Sequence, residues 1–228
     1  MYERGRERLF DEWPEAYDRW FTTPIGGLVR QYESELILDL LKPGPSEFIL
    51  DAGCGTGVFT PDIVSVGAEA VGLDISLPML KRARRKAKAY PFEIVSADIL
   101  NLPFLHDTFD KVVSVTALEF IENGENAVGE LFRVTKRGGW VVVATLNSLS
   151  PWAVRRKQEA EKKHSLFEKA IFRSPDELLS LAPVEGIART AIHFQKDEDP
   201  EKALVIEKEG HEKSLNTGAF VAARWNKP

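Results

Sequence analysis

Cysteine is almost missing from this sequence. Cys54 stands alone among 228 residues, so no internal disulfide can form. Histidine is scarce too, and His106, His193 and His211 have no Cys or His neighbour at metal-ligand spacing, which argues against a metal centre. No apolar run approaches the ~20 residues that span a bilayer. The longest, around Val141–Leu146, is strand-sized. An excess of positive charge is also lacking. The 30 Lys and Arg against 35 Asp and Glu leave a formal charge of −5, a poor balance for displacing counterions from nucleic acid. The opening Met1-Tyr2-Glu3-Arg4-Gly5-Arg6 has no apolar signal core. These absences disfavour disulfide-stapled, membrane-spanning, secreted and nucleic-acid-binding classes. A cytoplasmic α/β protein is the expectation.

What is present is an alternation of helical and strand patterns. Asp11–Phe21 carries Trp13, Tyr17, Trp20 and Phe21 on a helical stripe, and Thr-Pro-Ile-Gly-Gly at 23–27 reads as its interruption. A second helix is expected over Leu28–Leu41, stopped by Lys42-Pro43-Gly44-Pro45. Short apolar strands then come at Glu47–Asp51, Ala70–Asp74, Phe92–Ser96, Lys111–Val115 and Trp140–Leu146. Helical stretches at Phe59–Val66, Leu77–Ala89 and Glu125–Thr135 separate them, the pattern of a parallel sheet covered on both faces. Ser174-Pro175-Asp176-Glu177 has the cap, proline and acids of a helix start. Strands are expected at Ile187–Phe194 and Ala219–Trp225, with Asp197–Lys213 left unassigned between them. The length allows one domain or two. We expect one over 1–228, with a helical cap (1–45), a core (46–146), a candidate lid (147–175) and a C-terminal helix with strands (176–228).

The chemistry is most legible at Ile49-Leu50-Asp51-Ala52-Gly53-Cys54-Gly55-Thr56-Gly57. A strand ends, glycines permit a tight turn and close approach of a ligand, and a helix begins with exposed N–H groups. About twenty residues on, the second strand ends in Asp74, where a carboxylate can accept from ribose hydroxyls. The loop is not the dinucleotide fingerprint, which needs G-x-G-x-x-G, nor a P-loop, since it lacks a succeeding G-K-[ST]. The acid directly before it, Asp51, opposes a pyrophosphate and favours a ligand with an ammonium or sulfonium charge.

The segment Asp51–Gly57 resembles the first motif of the class I S-adenosylmethionine-dependent methyltransferases. Segments further along the chain agree in order: Gly72-Leu73-Asp74-Ile75-Ser76, Ala97-Asp98-Ile99, Phe109-Asp110 and Arg137-Gly138-Gly139. Phe10–Asp18 is similar to the N-terminal helix of the small-molecule branch that includes ubiquinone/menaquinone-type enzymes. The resemblance implies a Rossmann-like, seven-stranded, mostly parallel α/β sheet with an antiparallel last strand. It implies S-adenosyl-L-methionine as donor, S-adenosyl-L-homocysteine as product, no metal, a small-molecule acceptor, and a monomer or homodimer. Gly53, Gly55 and Gly57 would line the methionyl part, with Asp51 holding its amino group and Thr116, Ala117 and Leu118 facing it. Asp74 would take the ribose, Ile75, Met79 and Ile99 the adenine ring, and Asp98 the adenine amino group. Residue chemistry leaves alternatives beside two of these, an Asx turn for Asp98 and core filling for Met79, and reads Cys54 as plain packing.

Methyl transfer asks mainly for positioning and exclusion of water, so little obligatory catalytic signature is expected. Glu119, after the fourth strand, is the candidate acid, either facing the acceptor or solvated at a helix start. Tyr17 reaches the cofactor or joins its neighbours in a packing face. Pro151–Ile171, with Trp152, Arg155, Arg156, Lys157, Lys162, Lys163, His164 and Phe167, is a cationic lid or a solvated helix. A non-catalytic binding module and a nicotinamide-dependent oxidoreductase are the competing readings.

Overall fold

Proline and short polar side chains fix where the helices of this chain begin. In the computed structural model, which describes residues 10–90, 92–162 and 166–228, α1 is Pro14–Trp20 and α2 is Pro24–Leu41. The stretch at 23–27 does separate the two helices, but it also starts the second, at Pro24 rather than at the expected Leu28. Thr23 accepts the Gly26 amide at 3.1 Å, and Pro24 sits at the first helical position, where a missing N–H costs nothing. Gly26 is required there because a Cβ would lie 2.0 Å from the Trp20 carbonyl. The opening segment 1–6 lies outside the described residues.

The same signals recur. Ser76 caps α4 (Leu77–Lys86), Asn123 caps α5 (Gly124–Val134), and Ser174 with Glu177 closes a capping box on α7 (Pro175–Leu179). The short α3 is Thr60–Val64, and α6 is Pro151–Lys162. The unassigned stretch becomes α8, Pro200–Glu212, capped by Asp199. Its pattern is opaque in the sequence because Leu204 and Val205 are exposed while Glu207 is buried. Glu207 accepts the Ile192 and His193 amides at 2.9 and 2.6 Å, so a carboxylate replaces an apolar contact.

The strands are β1 (Phe48–Ala52), β2 (Glu69–Asp74), β3 (Phe92–Ser96), β4 (Phe109–Val115), β5 (Thr135–Leu146), β6 (Gly186–Ala191) and β7 (Phe220–Asn226). They form one sheet in the order β3-β2-β1-β4-β5-β7-β6. Neighbours from β3 to β5 run parallel, and β7 runs antiparallel to both β5 and β6. This is the seven-stranded, mostly parallel α/β architecture expected. Two apolar layers sandwich the sheet. One joins α2, α3 and Trp152 of α6 to Ile49, Val113, Val142 and Phe220. The other joins α5 and α7 to Leu50, Val112, Val141 and Trp225. Among the described residues no helix is long and apolar enough to cross a membrane.

Candidate active site

The strand order reverses between β1 and β4, and a crevice opens there beyond the carboxyl ends of the strands. It holds a cavity of about 670 Å³. Its walls come from the ends of four strands: Asp51, Gly53 and Gly55 after β1, Asp74 and Ile75 after β2, Asp98 and Ile99 after β3, and Thr116 and Ala117 after β4. Met79 of α4 and Tyr17 of α1 complete the set. Eleven of the cofactor-site residues proposed from sequence thus line one cavity.

Local chemistry explains the arrangement. Gly53 has φ 81°, and a Cβ there would lie 2.5 Å from that of Ala117, so the two strand ends approach as closely as they do because residue 53 has no side chain. Gly55 donates its amide to Asp74 at 2.9 Å, and Ser76 donates to the other Asp74 oxygen at 2.8 Å. The β2 carboxylate therefore ties the glycine loop to the start of α4. Burial raises the Asp74 pKa, and the amides of Ser76, Gly55 and Ile75 restrain the rise. Asp51 accepts the Thr60 hydroxyl at 2.6 Å. Burial pushes it up to about 6, with Thr60 opposing and Asp74 adding to the shift. Asp98 accepts the Leu100 amide at 3.0 Å, forming an Asx turn while also facing the cavity. Thr116 takes a left-handed φ of 48°, turning the chain sharply as it leaves β4.

A methyltransferase domain model matches residues 50–143. The chain is 32% identical to a demethylmenaquinone methyltransferase of Renibacterium salmoninarum over 136 residues, 60% of this chain and 56% of that protein. It is 30% identical to a malonyl-[acyl-carrier protein] O-methyltransferase of Salmonella typhimurium over 193 residues, 75% of this chain and 76% of that one. The chain belongs to the class I S-adenosylmethionine-dependent methyltransferases. Its fold is shared by an S-adenosylmethionine-dependent methyltransferase of Thermotoga maritima, with a TM-score of 0.71, 23% identity and coverage of 96% and 98% of the two chains.

Three expected site residues of this methyltransferase lie elsewhere. Gly57 packs behind the loop, where a Cβ would meet Phe92 and Ala83 at 3.3 and 3.4 Å. Leu118 is fully buried in the α5 layer, because the 3₁₀ turn Leu118–Phe120 points it down into the sheet. Glu119 neither lines the cavity nor meets solvent. It is 0% exposed, with Thr145 donating to its Oε2 at 3.1 Å. Burial pushes its carboxyl up to about 7.

The expected lid is docked through Trp152 and Ala153, while Val154, Arg155, Lys157 and Gln158 stay exposed. Trp152 is buried and its indole donates to the Phe194 carbonyl at 2.7 Å. Arg156 lies over the Trp152 and Phe167 rings at 5.1 and 4.9 Å. The Lys162 side chain, Lys163 and His164 lie outside the described residues. Lys169 of this segment does reach the cavity, as do Phe10, Phe59 and Phe120. Cys54 is a loop-packing residue, its thiol pKa raised by burial and by Asp51 and Asp74. A second cavity of about 690 Å³ lies between α2, β6 and α8, at the far edge of the sheet, and shares no residue with the glycine loop.

Sequence reasoning missed Glu33. It is 6% exposed and sits between Val29 and Ile37 on the buried face of α2. A carboxylate at four-residue spacing inside an apolar stripe was the available signal.

Proposed function

We propose that this methyltransferase binds S-adenosylmethionine in the β1–β4 crevice and methylates a small organic acceptor there. The observation that carries this reading is the convergence of Asp51, the Gly53–Gly55 loop, Asp74, Asp98 and Thr116–Ala117 on one cavity. The residues present fit such a donor. The loop is open at Gly55, where a Cβ would meet nothing within 4 Å, and the carboxylates of Asp51 and Asp74 flank it.

When bound, S-adenosylmethionine supplies a methyl group already activated on a sulfonium sulfur. The chain's own task is placement. Asp74 accepts from the ribose hydroxyls, Asp51 faces the methionyl ammonium, and Asp98 accepts from the adenine amino group. Ile75, Met79 and Ile99 hold the ring by apolar contact. Gly53, Gly55, Thr116 and Ala117 shape the methionyl end, and Tyr17 and Phe10 of the N-terminal cap exclude water. The names of the two relatives point to different acceptors, a demethylmenaquinone and a carrier-bound malonyl group, both small organic groups.

Calorimetry with S-adenosylhomocysteine and with NAD tests the donor assignment. Binding of the first and not the second is expected; the reverse overturns the reading. A labelled methyl donor offered with quinols, phenols, carboxylates and amines then identifies the acceptor.

A further inference from the structure

The cavity is lined by more residues than the donor contacts use. Phe59, Phe120, Ile121 and Lys169 belong to its wall, with Phe10 of the N-terminal cap beside them. These side chains grade from depth to surface. Phe59 is buried, Phe10 and Phe120 are half-buried, and Lys169 is exposed. Phe10 meets Phe120 edge-on at 4.7 Å, so the cap and the turn after β4 close on each other as one apolar wall. Such a wall takes a ring or an alkyl body and leaves a polar end at the mouth.

Lys169 is the one cation among the described residues that line this cavity, against Asp51, Asp74, Asp98 and Glu122. Among the described residues no hydrogen bond or ion pair engages its ammonium. Its chain is nonetheless held in place. Phe167 packs on Phe120 and Phe172 at 6.4 and 6.3 Å, with the Arg156 guanidinium 4.9 Å from its ring centre. Two residues beyond Lys169, the Ile171 amide donates to the Glu119 carbonyl at 2.7 Å, and the Arg173 guanidinium donates to the Leu118 carbonyl at 3.0 Å. These anchors tie the turn Leu166–Lys169 to the turn after β4, and so to the Thr116–Ala117 end of the donor site. Glu122 shares the mouth, but it stands one residue before the Asn123 cap of α5, where the positive end of the helix draws on its charge.

We propose that Lys169 is a specificity-determining residue and selects an acceptor that joins an apolar body to a carboxylate. The proposal rests on the methyltransferase reading and names its acceptor class. The apolar body lies along Phe59, Phe10 and Phe120 and turns the atom to be methylated toward the donor sulfonium. The carboxylate stays at the mouth, on the Lys169 ammonium. One ammonium balances one negative charge, which suits a carboxylate better than a phosphate dianion. Asp51, Asp74 and Asp98 repel an anion along the length of the donor site. The carboxylate therefore fixes which way round the acceptor enters, and with it the atom that meets the methyl group.

The test uses 3-phenylpropionate, 3-phenylpropanol and 3-phenylpropylamine, each titrated into the full chain loaded with S-adenosylhomocysteine. The acid should bind about five- to tenfold more tightly than the alcohol, and the amine no more tightly than the alcohol. Added salt should narrow the preference. Lys169→Gln should remove it while the affinities for the alcohol and for S-adenosylhomocysteine hold, and Lys169→Arg should keep it. A merely structural lysine would move all three probes together. Equal affinity for acid and alcohol, absence of binding by both included, overturns the proposal. So does a preference that survives Lys169→Gln, or an amine that binds most tightly. Failure of S-adenosylhomocysteine to bind overturns the donor reading instead, so the two failures are distinguishable.

Discussion

The carboxyl of Asp74 receives the Gly55 amide on one oxygen and the Ser76 amide on the other, while its remaining lone pairs face the cavity. It both shapes the loop and presents negative charge to the ligand. Asp74→Asn replaces one acceptor by a donor and removes the charge. S-adenosylhomocysteine affinity in calorimetry should fall by about 1–3 kcal/mol, with the melting temperature changed far less. Residues of this kind are readable from sequence because their chemistry is local, a strand end leading into a glycine turn. Glu33 and Glu119 are harder. Their burial depends on α2 and the β4 turn meeting across more than eighty positions of chain, and spacing along one element does not report that.

At the scale of elements, α1 shows how a helix without a buried residue is held. Asp18 accepts from Thr56 at 2.6 Å, from Arg82 at 2.8 Å and from Lys86 at 3.3 Å, fastening α1 to the glycine loop and α4. Burial works against the Asp18 charge, and these donors still hold its pKa below the usual carboxylate range. Apolar contact adds edge-on rings, Tyr17 against Phe21 and Phe21 against Phe59 at 5.2 and 6.2 Å, and the packing of Trp20 against the core. Asp18→Ala should raise amide hydrogen exchange across Pro14–Trp20 while protection of β1 and β4 stays as it was. The five parallel strands are legible because each is a short apolar run bounded by turn residues. Boundaries fail where two signals overlap. Gly27 and Pro24 read as breakers but belong to a capped helix start. Arg137-Gly138-Gly139 reads as a turn before β5, yet α5 runs directly into β5 and Gly138, with φ 75°, forms an irregularity within it.

For the molecule as a whole, the buried acids set a pH dependence. Glu33 at about 8 and Glu119 at about 7 bind protons in the folded state that an unfolded chain has already released. Their contribution to stability is full below the ordinary glutamate range and is lost as pH rises through the folded values. Between about pH 5 and 8 the wild type should lose stability relative to Glu33→Gln, as measured by denaturant titration at each pH. A parallel pH response in the two proteins would exclude Glu33 as a source. The sheet order has a consequence for synthesis. β7 is the last strand in chain order but lies between β5 and β6, so β6 has no neighbour until residues 220–226 have emerged. The ligand crevice is built from the first four strands and can take shape on the ribosome. Closure of the sheet cannot, and a nascent chain arrested before Phe220 would expose the apolar edge of β5 to chaperones or to other chains.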